Sequence, residues 1–344
     1  MNQANPKPIQ PAPADAKRVL VIKFGALSDF IQSLAAAKLI REHHFGARIT
    51  LLTNDEFIQF AEKCPYFDIV EGAGPARDPK PSPFVAARIR RGKFDMTYDL
   101  ECSPRTGAFY LTLKPWRRRW SGVAQGCSHP HANAERDGLH PLDRFAEQLH
   151  HAGLGPAEGF AAEAAPLPDL SWVRMALRDP PRLHPGYFGI KPPYVLFIPG
   201  ADPEAPERLW PPERYAELAR LLAGRGIASA VVGTAPERET GNDIVRGEPK
   251  VKNLISRTDL FQLAALSERA AAVVGVESGA MTMAAAAGAP CVVLYGGDRD
   301  PTPMAPRSAG GVLKLLAPQL SDLKAEEVVR AIGNLGALQA SVHA

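Results

Sequence analysis

Three residues in the second half of the chain, Glu277, Ser278 and Gly279, have the types and the setting expected of a ligand-binding turn. They follow an apolar run that starts at Val273 and precede a short Ala-rich segment and a second apolar run. This order predicts a strand, a turn, a helix and a second strand of a parallel sheet. The turn would present free backbone N–H groups and the positive end of a helix dipole, a favourable place for phosphate. The alternative is an ordinary βαβ unit that binds nothing.

Asp29 is the candidate for proton transfer. It ends a turn that starts at Gly25, between a strand predicted over 18–24 and a helix predicted over 30–43. A carboxylate at the carboxyl end of a strand can take the proton from an attacking hydroxyl group, as a general base does. An aspartate directly before a helix can also serve only as its N-cap. The sequence pattern leaves both roles open.

Two further charged residues follow predicted strand ends. Arg208 comes after the loop that leaves one strand, and Glu237 comes after the next strand. A cation or backbone N–H groups would stabilise a departing diphosphate, and carboxylates such as Glu237 and Glu277 accept hydrogen bonds from ribose hydroxyls. Arg208 can equally be a surface residue paired with a neighbour such as Glu204 or Glu207.

The alternation of strands and helices predicts two doubly wound α/β domains. A chain of 344 residues also exceeds what one hydrophobic core usually organises. We predict a disordered proline-rich tail over 1–16, a first domain over 17–165, a proline-rich linker over 166–193 and a second domain over 194–344. An amphipathic helix near 323–335 would close the second domain.

Composition narrows the class of protein. Apolar residues make up 45% and charged residues 22%, as in a globular protein. The four cysteines are far apart and form no C-x-x-C, so we expect free thiols in a cytoplasmic protein. We predict no metal site, because no His, Asp or Glu cluster has metal-ligand spacing. We also predict no bound cofactor. The net charge of +3 and the absence of a nucleic-acid-binding motif argue against a nucleic-acid partner.

The positive charge is concentrated in one segment. Between Arg77 and Arg119 there are eleven Lys and Arg residues against four acidic residues. This excess would attract an acidic acceptor or an anionic lipid surface, which implies a possible peripheral contact with the membrane. Arg105 should lie nearest the ligand because it follows a predicted strand. The alternative is a solvated basic face without a partner. The basic residues are Arg77, Lys80, Arg88, Arg90, Arg91, Lys93, Arg105, Lys114, Arg117, Arg118 and Arg119.

Neither G-x-G-x-x-G nor G-x-x-x-x-G-K-[ST] occurs, which disfavours a dinucleotide dehydrogenase and a P-loop ATPase. Five other segments, in this order along residues 18–335, resemble the motifs of the glycosyltransferase family 9 heptosyltransferases. They are Val21-Ile-Lys-Phe-Gly-Ala-Leu-Ser-Asp-Phe-Ile-Gln-Ser-Leu34, His140-Pro-Leu-Asp-Arg144, Pro199-Gly-Ala201 with Arg208-Leu-Trp-Pro-Pro-Glu-Arg-Tyr215, Glu277-Ser-Gly279 and Tyr295-Gly-Gly-Asp298.

This resemblance implies a GT-B fold, in which two Rossmann-like domains face each other across a cleft. It implies a metal-independent, inverting transfer of heptose from ADP-heptose to an acidic, lipid-linked lipopolysaccharide-core acceptor, and we expect a monomer. With the residues above, it gives Asp29 as the catalytic base. The predicted acceptor-binding residues are Arg105 and Arg144. The predicted donor-binding residues are Gly200, Arg208, Glu237, Glu277, Ser278, Gly279 and Thr282.

Three positions depart from the family pattern. Ser28 stands where the family has glycine, Glu277-Ser278 where it has Asp-Thr, and Thr282 where it usually has histidine. These departures keep two alternatives open: a sugar-nucleotide-binding protein with weak or no turnover, and a transferase that uses another nucleotide sugar. A nucleotide-sugar epimerase is disfavoured, because the NAD fingerprint and a Tyr-x-x-x-Lys pair are missing.

Overall fold

The structure is a computed structural model that describes residues 11–74, 82–113, 119–161, 163–176, 180–200, 205–297 and 304–338. The chain divides into two units, Met1–Pro168 and Asp169–Ala344. In the described residues each unit is built on one six-stranded sheet, and all strand pairs are parallel. The two doubly wound α/β domains predicted from the sequence are therefore confirmed.

The first unit alternates strands and helices. Its strands are β1 (Arg18–Ile22), β2 (Arg48–Thr53), β3 (Ile69–Gly72), β4 (Met96–Asp99), β5 (Arg119–Gly122) and β6 (His129–Pro130). Its helices are α1 (Leu27–His43), α2 (Ile58–Ala61), α3 (Pro83–Gly92), α4 (Pro104–Thr112) and α5 (Pro141–His151). The strand order across the sheet is β3-β2-β1-β4-β5-β6.

The second unit repeats this plan. Its strands are β7 (Tyr194–Ile198), β8 (Ala228–Val231), β9 (Lys252–Asn253), β10 (Ala272–Val276), β11 (Cys291–Gly296) and β12 (Val312–Ala317). Its helices are α6 (Val173–Ala176), α7 (Pro212–Ala223), α8 (Arg238–Gly247), α9 (Leu260–Arg269), α10 (Gly279–Ala286) and α11 (Ala325–Asn334). The order is β12-β11-β10-β7-β8-β9.

Both sheets have the strand order 3-2-1-4-5-6 when the strands of each unit are counted from its first. In this order the direction of winding reverses between strands one and four. Open α/β sheets bind ligands at the carboxyl ends of the two strands on either side of that reversal. The topology therefore selects the ends of β1 and β4 in the first unit, and the ends of β7 and β10 in the second.

Aromatic contacts pack the helices of both units against their neighbours near these edges. In the first unit Phe30 of α1 is fully buried and stacks on Phe57, with ring centroids 4.5 Å apart. In the second unit Phe197 of β7 contacts Tyr215 of α7 at 5.4 Å, and both are fully buried. Burial of such a side chain contributes about 1.5–3 kcal/mol.

The proline-rich segments at the edges of the predicted domains have defined structure where they are described. Residues 1–10 of the tail lie outside the described residues, whereas Ala12 is buried and its N–H donates to the Ala152 carbonyl at 2.8 Å. The predicted linker, 166–193, joins the second unit from Asp169 onward. There Trp172 packs edge-on against Phe261, with ring centroids 6.5 Å apart.

Candidate functional site

The turn after β1 holds Asp29 close to a glycine that no other residue could easily replace. Gly25 has a φ of +86°, a conformation that favours glycine. A Cβ atom on Gly25 would lie 3.1 Å from Asp29 Oδ2. Asp29 is partly exposed, and among the described residues none donates a hydrogen bond to its carboxylate. The carboxylate is therefore available to an external hydroxyl group.

The predicted N-cap role of Asp29 is wrong. Helix α1 begins at Leu27, the N-cap position is Ala26, and no side chain caps the helix. Asp29 is the third helical residue, because the turn at Gly25 reverses the chain early enough for the helix to start before it. An acidic side chain in the first turn still interacts favourably with the helix dipole. Since the carboxylate caps nothing, a cap alone does not explain why this position is acidic.

A buried ion pair lies beside Asp29 that the sequence reasoning did not identify as part of the site. The Lys23 ammonium group donates to Glu101 Oε2 at 2.7 Å, and its side chain is 5% exposed. The same carboxylate oxygen accepts the Phe24 N–H at 3.2 Å. Lys23 follows β1 and Glu101 follows β4, and these strands are neighbours in the sheet. A lysine at the end of an apolar strand was the available signal, since such a residue needs a partner.

The two predicted acceptor-binding arginines lie near this edge but differ in environment. Arg144 of α5 is partly exposed, and its guanidinium lies 5.9 Å from the centre of the Phe145 ring. Lys23 Nζ lies 5.9 Å from the centre of the same ring. Arg105 of α4 is buried: its guanidinium lies 4.7 Å from the Phe24 ring and donates to the Ala73 carbonyl at 3.0 Å. Arg144 and Lys23 thus lie near the same Phe145 ring, and Arg105 packs on Phe24, the residue after Lys23.

The rest of the basic segment is only partly described. Arg88 of α3 donates to the Gly72 carbonyl, and its Nε lies 3.6 Å from Glu71 Oε2. Arg90 donates to the Thr112 carbonyl at 3.0 Å. These arginines remain exposed, so the surface stays basic. Arg77, Lys80, Lys114, Arg117 and Arg118 lie outside the described residues.

A fully buried carboxyl group, Asp99, lies at this edge of the sheet. It ends β4, and its Oδ1 accepts the Cys102 N–H at 2.9 Å, while its Oδ2 has no hydrogen-bond partner in the described structure. Burial raises the pKa of Asp99 to about 6, and the nearby Glu101 charge adds to that effect. The sequence does not predict this buried carboxyl group, because β5 pairs with β4 and Gln148 of α5 donates to the Asp99 carbonyl at 2.9 Å, and these are contacts between distant residues.

In the second unit, Gly200 lets the loop after β7 approach β10. Its φ is +69°, and a Cβ atom there would overlap Val276 Cγ2. Val276 is the last residue of β10, directly before Glu277. The predicted donor-binding position Gly200 is therefore adjacent to the predicted Glu277–Gly279 turn. Ala201 and Glu204, which follow in the same loop, lie outside the described residues.

The turn after β10 has the predicted form of a strand leading into a short helix. Ser278 is the N-cap of α10, and its hydroxyl oxygen accepts the Met281 N–H at 3.3 Å. Gly279 is the first helical residue, so its N–H belongs to the unpaired donors of a helix start. Thr282 is 8% exposed, and its hydroxyl group donates to the Ser278 carbonyl at 3.3 Å. Thr282 is thus directed at its own helix.

Arg208 lies over the end of β11. A Cβ atom on Gly296, the last residue of that strand, would lie 2.9 Å from Arg208 Cα and 2.5 Å from the Glu207 carbonyl oxygen. The backbone here is fixed by Trp210, which is buried and whose Nε1–H donates to the Leu323 carbonyl at 3.0 Å. Because β11 neighbours β10, Arg208 is placed at the same sheet edge as Glu277. Asp298, in the turn beyond Gly296, is outside the described residues.

The two acidic donor-site candidates have different surroundings. Glu237 follows β8, and its Oε2 accepts the backbone N–H and the hydroxyl group of Thr234, each at 2.8 Å, so it caps a short turn. Glu277 is exposed, and its charge adds to burial in raising the pKa of Tyr295. The Tyr295 hydroxyl group is buried without a hydrogen-bond partner in the described structure. Glu277 therefore lies over the ends of β10 and β11.

Within the described ranges, no group of three or more His, Cys, Asp and Glu side chains could hold a metal ion. Of the helices that the structure describes, none is long and apolar enough to cross a membrane.

Part of the chain is similar in sequence to known heptosyltransferases. Over 109 residues it is 37% identical to lipopolysaccharide heptosyltransferase 2 of Salmonella typhimurium, an alignment that spans 30% of this chain and 31% of that protein. The chain thus aligns with about a third of the length of this curated relative. A match of 36% over 109 residues is found with lipooligosaccharide heptosyltransferase 2 of Haemophilus influenzae, covering 30% of this chain and 31% of that one.

The fold is shared with solved structures along nearly the whole chain. The E. coli ADP-heptose lipopolysaccharide heptosyltransferase II structure superposes with a TM-score of 0.73 at 21% identity, covering 94% of this chain and all of the other. The predicted GT-B type fold is confirmed. Residues 138–326, more than half of the chain, match the sequence model of glycosyltransferase family 9 (heptosyltransferase). The chain therefore belongs to glycosyltransferase family 9, the heptosyltransferase family.

Proposed function

We propose that the protein is an inverting, metal-independent glycosyltransferase that transfers heptose or a related sugar from ADP-heptose to a lipopolysaccharide inner-core or related acidic glycan. The observation that carries this proposal is the family match over residues 138–326. Within that segment, Arg208, Glu277 and the start of α10 lie at one edge of the sheet. That edge combines a cation, a carboxylate and helix N–H groups, which suit a nucleotide diphosphate.

Donor binding follows from the types of group at this edge. Arg208 and the N–H groups from Gly279 onward would stabilise the diphosphate, and the exposed Glu277 would accept hydrogen bonds from ribose hydroxyls. Gly200 would let the backbone approach the ligand closely, as it already approaches Val276. Glu237 would contribute through its second oxygen, since Oε2 is engaged with Thr234. Thr282 would act by holding the start of α10.

The transfer itself needs a base and a stabilised leaving group. An acceptor hydroxyl oxygen forms the new bond to the anomeric carbon of the sugar, while the bond from that carbon to the diphosphate oxygen breaks. Asp29 takes the hydroxyl proton, and ADP leaves with the negative charge that Arg208 stabilises. Attack from the face opposite the leaving group inverts the anomeric centre. The partly exposed Arg144 would orient the acidic acceptor, and the buried Arg105 would add its positive charge to the attraction.

The experiment that tests the donor assignment is a thermal-shift series with ADP-heptose, ADP, UDP, GDP and CMP. A ligand that binds the native state raises the unfolding midpoint in proportion to the logarithm of its concentration. We expect a shift of several degrees with ADP-heptose and ADP and none with the other nucleotides at equal concentration. A larger shift with UDP or GDP would assign a different donor.

Product formation then separates the transferase from a binding protein. The specific observation that favours a binding protein with little turnover is Thr282, which replaces the family histidine and whose hydroxyl group is used inside α10. Incubation of ADP-heptose with heptose-free lipopolysaccharide should release ADP and extend the acceptor. A stable ADP-heptose complex without ADP release would establish the binding protein.

We also propose a cytoplasmic location with peripheral contact to an anionic membrane through α3. Phe84 is 82% exposed, and Arg88 and Arg91 follow it at helical spacing, so all three share one exposed face. An exposed aromatic ring beside arginines suits the interface of an anionic bilayer.

Vesicle sedimentation tests this contact with a matched control. Phe45 is 87% exposed in the turn between α1 and β2. This turn lies at the amino ends of the strands, whereas Phe84 lies at the start of a helix that follows the carboxyl end of a strand. We expect Phe84→Ser to weaken binding to phosphatidylglycerol vesicles on the order of tenfold, and Phe45→Ser to leave it unchanged. Equal effects of the two variants, or equal binding to neutral phosphatidylcholine vesicles, would contradict the proposal.

A further inference from the structure

The Lys23–Glu101 ion pair lies at the end of a buried strand, where desolvation of the lysine charge is unfavourable. Lys23 is 4% exposed, and its Nζ lies 5.9 Å from the centre of the Phe145 ring. Removal of the lysine charge from water costs several kcal/mol, which its partly exposed partner Glu101 offsets only in part, and an apolar side chain of similar size often packs as well or better. Packing alone therefore does not account for this pair.

The lysine of this pair lies close to the Asp29 carboxylate. Lys23 Nζ lies 3.6 Å and Asp29 Oδ2 lies 3.1 Å from the same point, the position that a Cβ atom on Gly25 would occupy. Glu101 is the acceptor that the described structure offers to Nζ. Asp29 therefore lies within reach of one positive and one negative charge whose effects on its protonation have opposite signs.

Other ionisable groups lie on the elements next to this turn. Arg144 shares the Phe145 ring with Lys23, and Arg105 stacks on Phe24. His140, buried at the start of α5, uses Nδ1 to accept the Leu142 N–H. Asp99, at the end of β4, is close enough to Glu101 for their charges to interact. Of all these groups, Lys23 shares the Gly25 position with the carboxylate, so its charge should act most strongly.

We propose that Lys23 and Glu101 are positioning residues that set the proton affinity of Asp29. Lys23 favours the ionised carboxylate, which can accept a proton from the acceptor hydroxyl group. Glu101 holds Lys23 in place and offsets its charge, so that the carboxylate remains basic enough to take that proton. The inference deepens the proposed function, because it rests on Asp29 as the base.

The test is a direct titration of the Asp29 carboxyl group by ¹³C NMR, with aspartate labelled at the side-chain carboxyl and the signal assigned from its loss in Asp29→Asn. Lys23→Met should move the Asp29 midpoint up by about one pH unit, and Glu101→Gln should move it down by a similar amount. Lys23→Arg, which keeps the charge, should leave the midpoint near that of the parent. Glu101→Gln is close in shape to the native residue, so it decides the question even if Lys23→Met does not fold.

Opposite shifts separate this proposal from a structural role. If the pair only stabilises the fold, both variants break the same contact, and the Asp29 midpoint will stay fixed or move in one direction for both. Either result overturns the inference. The titration needs no substrate, so its result does not depend on turnover. Native activity of Asp29→Asn would show that Asp29 is not the base. Opposite shifts of the midpoint, together with an inactive Asp29→Asn, support both the base and the two positioning residues.

Discussion

Gly25 and Asp29 are matched to each other: the carboxylate oxygen Oδ2 lies 3.1 Å from the position of a Cβ atom that Gly25 lacks. The φ of +86° at Gly25 gives a second, independent reason for glycine. The turn therefore sets both where α1 begins and where the Asp29 carboxylate lies. A substitution at Gly25 should act on chemistry as well as on stability.

We expect Gly25→Ala to reduce turnover by at least about tenfold, because small displacements of a catalytic group have large effects on rate. The left-handed backbone should also cost about 1–2 kcal/mol of stability. Gly126→Ala is the control, since Gly126 has a φ of +77° and its Cβ would meet nothing within 4 Å. Both variants should lower the unfolding midpoint, and turnover should fall only for Gly25→Ala. Equal turnover of the two variants would contradict the matched arrangement.

Asp29→Asn should lower kcat on the order of 10²–10⁴-fold, the usual worth of a general base. The unfolding midpoint should change little, because the carboxylate caps no helix and has no hydrogen-bond donor among the described residues. Glu42→Gln, an exposed substitution near the other end of α1, is the control for a change of charge on this helix. ADP affinity, measured by calorimetry, should be the same in all three proteins. Near-native turnover of Asp29→Asn would leave the carboxylate without a catalytic role.

The sequence was most informative where a strand, a turn and a helix follow one another directly. The apolar runs of β1 and β10 and their short turns fixed the two strand–turn–helix units that carry Asp29 and Glu277. It was least informative where the pattern is short or partly exposed. The sequence pattern does not predict strands β5, β6, β9 and β12: β6 and β9 have two residues each, and β12 is only partly buried. Helix α4 was also missed, although the Ser103–Thr106 capping box and Pro104 mark its start.

Contacts between distant residues could not be predicted in the same way. Lys23 and Glu101 are separated by 78 positions, and they meet only because β1 pairs with β4 in parallel register. Arg105 belongs to the basic segment that the sequence predicts to be an accessible surface, yet it is buried and packs on Phe24, because α4 begins at Pro104, shortly after β4 ends at Asp99. The sequence places each residue after a strand, but only the strand order shows which strand ends are neighbours.

Arg208→Ala should weaken ADP binding by about 1.5–3 kcal/mol, the range for a hydrogen bond to a charged partner. Gly296→Ala should weaken it as well without removing any charge, because the added Cβ atom would lie 2.9 Å from Arg208 Cα and 2.5 Å from the Glu207 carbonyl oxygen. Arg220→Ala, at an exposed arginine of α7, should bind ADP as the parent does. Calorimetric titration checks all three. Native affinity in Arg208→Ala would exclude its role in donor binding, and native affinity in Gly296→Ala would show that the loop moves freely.

The buried carboxyl group of Asp99 predicts a pH dependence of stability. Its pKa is about 6 in the folded protein because of burial, against an ordinary value of 3.8. Between these two values the folded state binds more protons than the unfolded state, so stability falls as pH rises. The contribution of protonated Asp99 is complete below about pH 3.8 and is lost as pH rises through about 6.

Asp99→Asn, which cannot ionise, should therefore gain in unfolding midpoint relative to the parent between pH 5 and pH 8. The gain should be a few degrees, corresponding to no more than about 3 kcal/mol for a shift of this size. Calorimetric melting curves at both pH values check the difference between variant and parent, which cancels effects of the substitution that do not depend on pH. Asp137→Asn is the control, since the Asp137 side chain is 82% exposed, and its difference from the parent should not change with pH. The same difference for Asp99→Asn at pH 5 and pH 8 would mean that Asp99 is already ionised in the folded protein at pH 5.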